Sequence, residues 1–247
     1  MTAAQMDSRT RPASTIDIGA PAPWELRGNA YVSMLRFPQQ LLDEASFVPG
    51  SLCGQRRPSP FGYLMFADYS ESPVGPYREL LFVPGAFKFG DGRRHWSVSR
   101  IFVSTPESAI NGERNWGLPK QLADFRLEHD GNGGLSVEVS KNGHAFAQLA
   151  FAPRRLSLPF HSSMLPTNLR TLGQRMDDID FVCMPELSGR MRAARLLRAQ
   201  ADAAVFPDIG RGRVIATAAL QNFRMQFPSS LLFAAISREA DALHLAG

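Results

Sequence analysis

The chain has 247 residues, of which 44% are hydrophobic, 10% aromatic and 20% charged. That is enough apolar material for one sizeable core or two modest ones, and too much for an intrinsically disordered chain. Its 27 basic and 23 acidic residues leave a net charge of +4, too near balance to imply a nucleic-acid or membrane partner.

In chain order, residues 1–20 lack the unbroken apolar run of a signal peptide and read as a mobile tail, leaving 21–247 as a single domain. AYVSMLRF (30–37) reads as a strand, and PQQLLDEA (38–45) as a short helix with Pro38 in its first turn. FGYLMFADYS (61–70), YRELLFVPGAFKFG (77–90) and HWSVSRIFVST (95–105) carry partly alternating apolar patterns and read as strands. INGERNWGLPKQLADF (110–125), rich in turn formers, reads as a connection. Between 121 and 152 the runs QLADFRLEHD, LSVEVS and HAFAQLAF, joined by GNGG and KNGH, predict a meander with glycine-containing hairpin turns. ELSGRMRAARLLRAQADAAVF (186–206) predicts an amphipathic helix with a solvated arginine face, because it lacks the interleaved aromatics of a nucleic-acid platform. RVIATAALQNFRMQF (213–227) reads as one final strand or two. A strand-dominated chain without βαβ alternation predicts a mainly β (α+β) fold, an antiparallel β-barrel with flanking helices, since closure removes exposed edges.

Cys53 and Cys183 have no metal-ligand spacing and are too few for a disulfide framework, which suits a reducing compartment and a cytoplasmic protein. No window reaches the roughly 18 apolar residues of a membrane helix. The histidines stand in no HxH or HExxH pattern, and no phosphate-cradling or nucleophile-elbow motif occurs, so no metal or other cofactor is indicated.

The basic set is unevenly divided. Twenty-four of the 27 basic residues are arginine, and lysine stands only at Lys88, Lys120 and Lys141. A guanidinium replaces an ammonium as a solvated charge but never as an amine nucleophile, because it does not deprotonate. Lys120 has Trp116, Leu118, Leu122 and Phe125 around it in sequence. An apolar surround disfavours an ammonium relative to the neutral amine, which attacks ketones and aldehydes. The alternative is an exposed turn lysine, as Lys141 in SKNG reads. Glu79 begins an apolar run, and alternation places it on one face with Leu81 and Val83. It is either a residue at a strand rim or a carboxylate facing a cavity, where it could move protons for a neighbouring iminium.

GPYREL followed by GERNWGLPKQLADF resembles the acetoacetate decarboxylase family, with its GPY-x-E and Gly-Arg-Glu-x-x-Gly-x-Pro-Lys-Lys segments; PAPWELRGNAYV (21–32) is similar to the family's entry into the first strand. The resemblance implies a cone-like antiparallel β-barrel, a homo-oligomer, no metal, and a barrel lysine that forms a Schiff base with a keto acid. Lys120 matches that lysine and Glu79 the active-site glutamate. The chain departs from the pattern at Gln121, where the family has a second lysine, and at Asn29, with Arg27 two residues away, where the family has an arginine. Glu113-Arg114 reverses the usual order. Gln121, Asn29, Arg27 and Trp116 are therefore candidate substrate-binding residues beside Lys120 and Glu79.

The resulting expectation is a Schiff-base lyase acting on a keto acid or small carbonyl compound, by decarboxylation or by aldol or dehydration chemistry. The alternative is a non-catalytic β-barrel that binds a lipophilic small molecule, which the 17 phenylalanines would suit.

Overall fold

The structure is a computed structural model that describes residues 19–38, 48, 50–52, 55, 60–131 and 133–235. The expected helix at 38–45, apart from Pro38, and nearly all of the expected tail lie outside the described residues, as does Cys53.

Ten strands form one large sheet: β1 (Trp24–Arg36), β2 (Phe61–Glu71), β3 (Tyr77–Val83), β6 (Arg100–Val103), β7 (Lys120–Leu122), β8 (Asp124–His129), β9 (Leu135–Lys141), β10 (His144–His161), β13 (Glu186–Ala201) and β14 (Arg213–Phe227). Their order is β7-β6-β3-β2-β1-β14-β13-β10-β9-β8. The two ends of this order meet, because only Ala123 separates β7 from β8, and its N–H donates to the Val103 carbonyl. The sheet is thus a near-closed barrel, antiparallel apart from the β6–β7 pair. A second sheet, ordered β15-β12-β11-β5-β4, holds β4 (Gly85–Lys88), β5 (Arg94–Ser97), β11 (Leu172–Met176), β12 (Ile179–Cys183) and β15 (Leu231–Ala234).

Two runs that read as single strands are each divided between the sheets. The apolar stretch 77–90 breaks at Pro84, which cannot donate a ladder hydrogen bond, and at Gly85, whose φ of 153° suits glycine. The stretch 95–105 is divided at Val98-Ser99 into β5 and β6. The hairpin turn at KNGH is as expected, with positive φ at Asn142 and Gly143.

The expected helix at 186–206 is instead the strand β13, hydrogen-bonded on one side to β10 and on the other to β14. Ala, Leu, Arg and Gln favour a helix locally, but a strand with two ladder partners satisfies every backbone group it buries, and that outweighs propensity. The bulge opposite Ala150/Phe151 turns Leu197 outward, where it is exposed.

Conversely, the connection expected at 110–125 begins with a helix, α1 (Pro106–Trp116). Thr105 caps it by accepting from the Ser108 N–H, Pro106 occupies its first turn, and Gly117 ends it in the left-handed conformation with φ 62°. Ser108, Asn111, Gly112 and Trp116 are its buried residues, spaced to share one face.

The long strands serve two cores. Leu64, Phe66, Leu80, Phe82 and Phe102 from β2, β3 and β6 pack with Val137, Val139, Phe146 and Phe151 from β9 and β10. Alternate residues of the same strands, Ala67, Tyr69, Tyr77, Leu81, Val83 and Ile101, face a second core closed by Trp96, Leu172 and Cys183 of the smaller sheet and by Trp116 of α1. Period-two alternation therefore decides which compartment each side chain enters.

Candidate active site

The second core contains a cavity of about 420 Å³. Its walls are almost wholly apolar, with Trp24 and Leu26 from β1, Met65 from β2, and Leu220 and Met225 from β14 among them. Among the described residues, three charged side chains line it: Glu79, Lys120 and Arg170.

Lys120 follows directly from the end of α1. The Gly117 N–H donates to the Glu113 carbonyl, the Leu118 N–H to that of Gly112, and Pro119 prevents further helix, so the chain enters β7 beside the helix face. Gly112 packs against the lysine stem; a Cβ there would lie 2.6 Å from its Cδ and Cε. Lys120 Nζ lies 2.9 Å from Glu79 Oε2, and the two side chains are 3% and 6% exposed. Nζ also donates to Ser108 Oγ at 3.1 Å and sits 5.2 Å from the centre of the Tyr77 ring. The Tyr69 hydroxyl donates to Glu79 Oε1 at 3.3 Å, and Ser108 is hydrogen-bonded to Tyr77.

A chain of polar groups, Tyr77–Ser108–Lys120–Glu79–Tyr69, thus crosses an otherwise apolar pocket. Burial holds both phenols well above their ordinary pKa, and the Glu79 carboxylate adds to this. Both remain neutral hydrogen-bonding groups across the ordinary pH range. Glu79 is held by ladders on both sides, opposite Ala67 of β2 and Val103 of β6. Of its two possible placements, it occupies the cavity and not the rim.

Trp116 also lines the cavity. Its indole N–H donates to the Pro228 carbonyl at 2.7 Å, and its ring packs edge-on against Trp24 and Phe227 at 5.0 and 4.5 Å. The other three candidates are elsewhere. Gln121 leaves β7 on the face opposite Lys120, is exposed, and accepts from Lys141 Nζ at 3.0 Å. Arg27 is exposed and pairs with Glu25 and Glu71. Asn29, also exposed, accepts from the Asn222 N–H beside a bulge of β1. Strand alternation is the reason in each case: Leu26 and Ala30, on the other face of β1, are the buried residues there.

Sequence reading missed Ser108, Tyr69, Tyr77 and Arg170. Tyr77 had a signal, since it stands two residues before Glu79 and so on the same strand face. Thr105-Pro106-Glu107 also announced the helix that presents Ser108. Among the described residues, no helix is long and apolar enough to cross a membrane.

These features define a β-barrel protein with a buried lysine–carboxylate pair in an apolar cavity. The family model "Acetoacetate decarboxylase (ADC)" matches residues 20–186, and the chain belongs to that family. Curated relatives include Protein NEOXANTHIN-DEFICIENT 1 of Oryza sativa subsp. japonica, 29% identical over 124 residues, covering 47% of this chain and 38% of that protein. Its counterpart in Solanum lycopersicum is 25% identical over 124 residues, covering 49% and 40%. The chain thus matches about two fifths of the length of these relatives. Among solved structures, the enduracididine biosynthesis enzyme MppR, complexed with the condensation product of pyruvate and imidazole 4-carboxaldehyde, superposes with a TM-score of 0.65 at 14% identity, covering 89% of this chain and 92% of that one. Acetoacetate decarboxylase from Legionella pneumophila subsp. pneumophila str. Philadelphia 1 superposes with a TM-score of 0.64 at 12% identity, covering 95% and 99%. At these identities the superpositions establish a shared fold.

Proposed function

We propose that the protein is a Schiff-base lyase acting on a carbonyl substrate through Lys120. The observation that carries this reading is the 2.9 Å contact between Lys120 Nζ and Glu79 Oε2 inside an apolar cavity. At that distance the carboxylate is placed to accept the lysine proton directly as a substrate carbonyl arrives. The freed amine attacks the carbonyl carbon, the carbonyl oxygen takes up the proton, and loss of water leaves an iminium. Departure of CO2 or of an α-proton then places an electron pair in an enamine, which Glu79, hydrogen-bonded by Tyr69, is placed to protonate. The MppR structures, one with pyruvate and one with its condensation product with an aldehyde, support carbonyl chemistry as the reaction class. Exposed Gln121 supports a mechanism in which the residue after the lysine takes no direct part.

The test is borohydride trapping with a panel of 2- and 3-keto acids, comparing the parent with Lys120→Ala and Glu79→Gln. Reduction of the iminium should add the substrate's mass in the parent, not at all in Lys120→Ala, and more slowly in Glu79→Gln. An unchanged adduct in Lys120→Ala sinks the proposal. The homo-oligomer implied by family resemblance is read from the same preparation by light scattering.

A second reading is favoured by the apolar walls: a barrel that holds a lipophilic molecule without turning it over. Tight binding of an uncharged ligand, unaffected by Lys120→Met, would support it.

A further inference from the structure

Arg170 is the cavity's third charged residue, and its surroundings differ from those of the other two. It follows the 3-10 turn Thr167–Leu169 and precedes β11. That backbone is pinned from both sides: the Trp96 indole N–H donates to the Asn168 carbonyl at 3.0 Å, the Trp96 N–H to that of Thr171 at 3.1 Å, and the Arg170 N–H to that of Thr167 at 3.1 Å. Arg170 Nε is buried yet has no hydrogen-bond partner. A buried donor left unmatched is costly, and native structures rarely retain one without a use. Glu79 is the only carboxylate lining the cavity among the described residues, and Lys120 already engages it. Wherever the proton of that pair resides, the cavity carries one net positive charge.

We propose that Arg170 is a substrate-binding residue that takes a carboxylate, so that the cavity selects monocarboxylates bearing a ketone or aldehyde and an apolar body. This rests on the Schiff-base reading above for the carbonyl, but not for the carboxylate. A guanidinium fork matches a carboxylate through two parallel N–H···O bonds, and half-buried Arg170 is held among apolar cavity walls. The volume of about 420 Å³ exceeds what a three- or four-carbon keto acid fills, and the walls beside Arg170, including Leu165, Leu169 and Leu172, suit a hydrocarbon chain or ring. Arg170 thereby assumes the anion-binding role that exposed Arg27 and Asn29 are placed too far out to fill.

The experiment uses a matched pair, 2-oxooctanoate and 2-octanone, and reads the half-saturating concentration for borohydride trapping on the full chain and on Arg170→Gln. Losing a charged hydrogen-bond pair should raise the value for the oxo acid by at least about tenfold and leave the ketone within about twofold. Binding of octanoate, read by calorimetry, should weaken in parallel and be partly retained in Arg170→Lys, with unchanged melting of both variants showing that they fold. Equal responses of oxo acid and ketone to Arg170→Gln overturn the proposal. So does octanoate binding that is indifferent to Arg170. Trapping of neither carbonyl while octanoate still binds through Arg170 would refute the Schiff-base reading and leave this one standing.

Discussion

Leu81 and Phe82 are neighbours on β3, yet they enter compartments of opposite character. On the Phe82 side the barrel is filled with rings: Phe82, Phe102, Phe146 and Phe206 meet edge-on or at a tilt, with Phe102 and Phe146 centroids 4.6 Å apart. On the Leu81 side the strands carry Tyr69, Tyr77 and Glu79, and the space is left partly empty. One set of strands thus builds a dry core that holds the sheet and a polar-lined cavity that can receive a ligand. The first works by filling its volume, and the second by leaving volume around a few fixed polar groups.

The sharpest way to break this contrast is to remove a partner on each side. Glu79→Ala strands the Lys120 ammonium in the cavity and should destabilise the fold by about 3–5 kcal/mol. Phe102→Ala, which opens a void, should cost a similar amount, about 3–5 kcal/mol. The two differ in rescue: adding Lys120→Met to a Glu79→Leu background should recover most of the lost stability, since an apolar pair replaces an ion pair well. No change at Lys120 should relieve Phe102→Ala. Urea unfolding of these variants, with Phe102→Ala/Lys120→Met as the control, reads all of this.

Gly112→Ala should cost about 1–3 kcal/mol by overpacking and abolish Lys120 trapping, because the new methyl would occupy the lysine stem's place. Trapping at the parent rate would show that the stem is free to move.

Alkaline pH sharpens the comparison further. All four tyrosines are held above their ordinary pKa, chiefly by burial: Tyr31, Tyr63, Tyr69 and Tyr77. A group whose pKa is raised on folding contributes its full stability below the unfolded value and loses it as pH rises through the folded one. Stability should therefore decline above about pH 10, with Tyr69 and Tyr77 ionising together with unfolding and not before it. Ionisation of Tyr69 or Tyr77 in the native protein, read by difference from Tyr69→Phe and Tyr77→Phe, would contradict the enclosed polar chain. Cys183, pushed up to about 12 by burial, should resist thiol reagents in the native protein.

The smallest effect is expected at Gln121→Lys, which should change stability by less than about 0.5 kcal/mol and leave Lys120 trapping unchanged, since this side chain meets Lys141 outside the cavity.

What could be read beforehand followed from local chemistry and from family resemblance. Glu79 and Lys120 stood out as a carboxylate and a scarce lysine in apolar stretches, but local chemistry left each with a surface alternative and the family resemblance assigned them to a site; the meander read over 121–152 was legible because its turns carry Asn and Gly. Gln121, Asn29 and Arg27 were misplaced because adjacency along a motif does not reveal which strand face a residue takes. β13 was misread because its ladders to β10 and β14 are set by residues far away in sequence. Arg170 carried no signal among 24 arginines, and only the cavity distinguishes it.

The most direct test of the central claim exploits the chain's own scarcity of amines. With lysine only at positions 88, 120 and 141, peptide mapping after borohydride trapping offers two internal controls. The account predicts that a saturable keto-acid adduct falls on Lys120 alone, at close to one per chain. Adducts spread over Lys88 and Lys141, or absent from Lys120 across the whole panel, would contradict it.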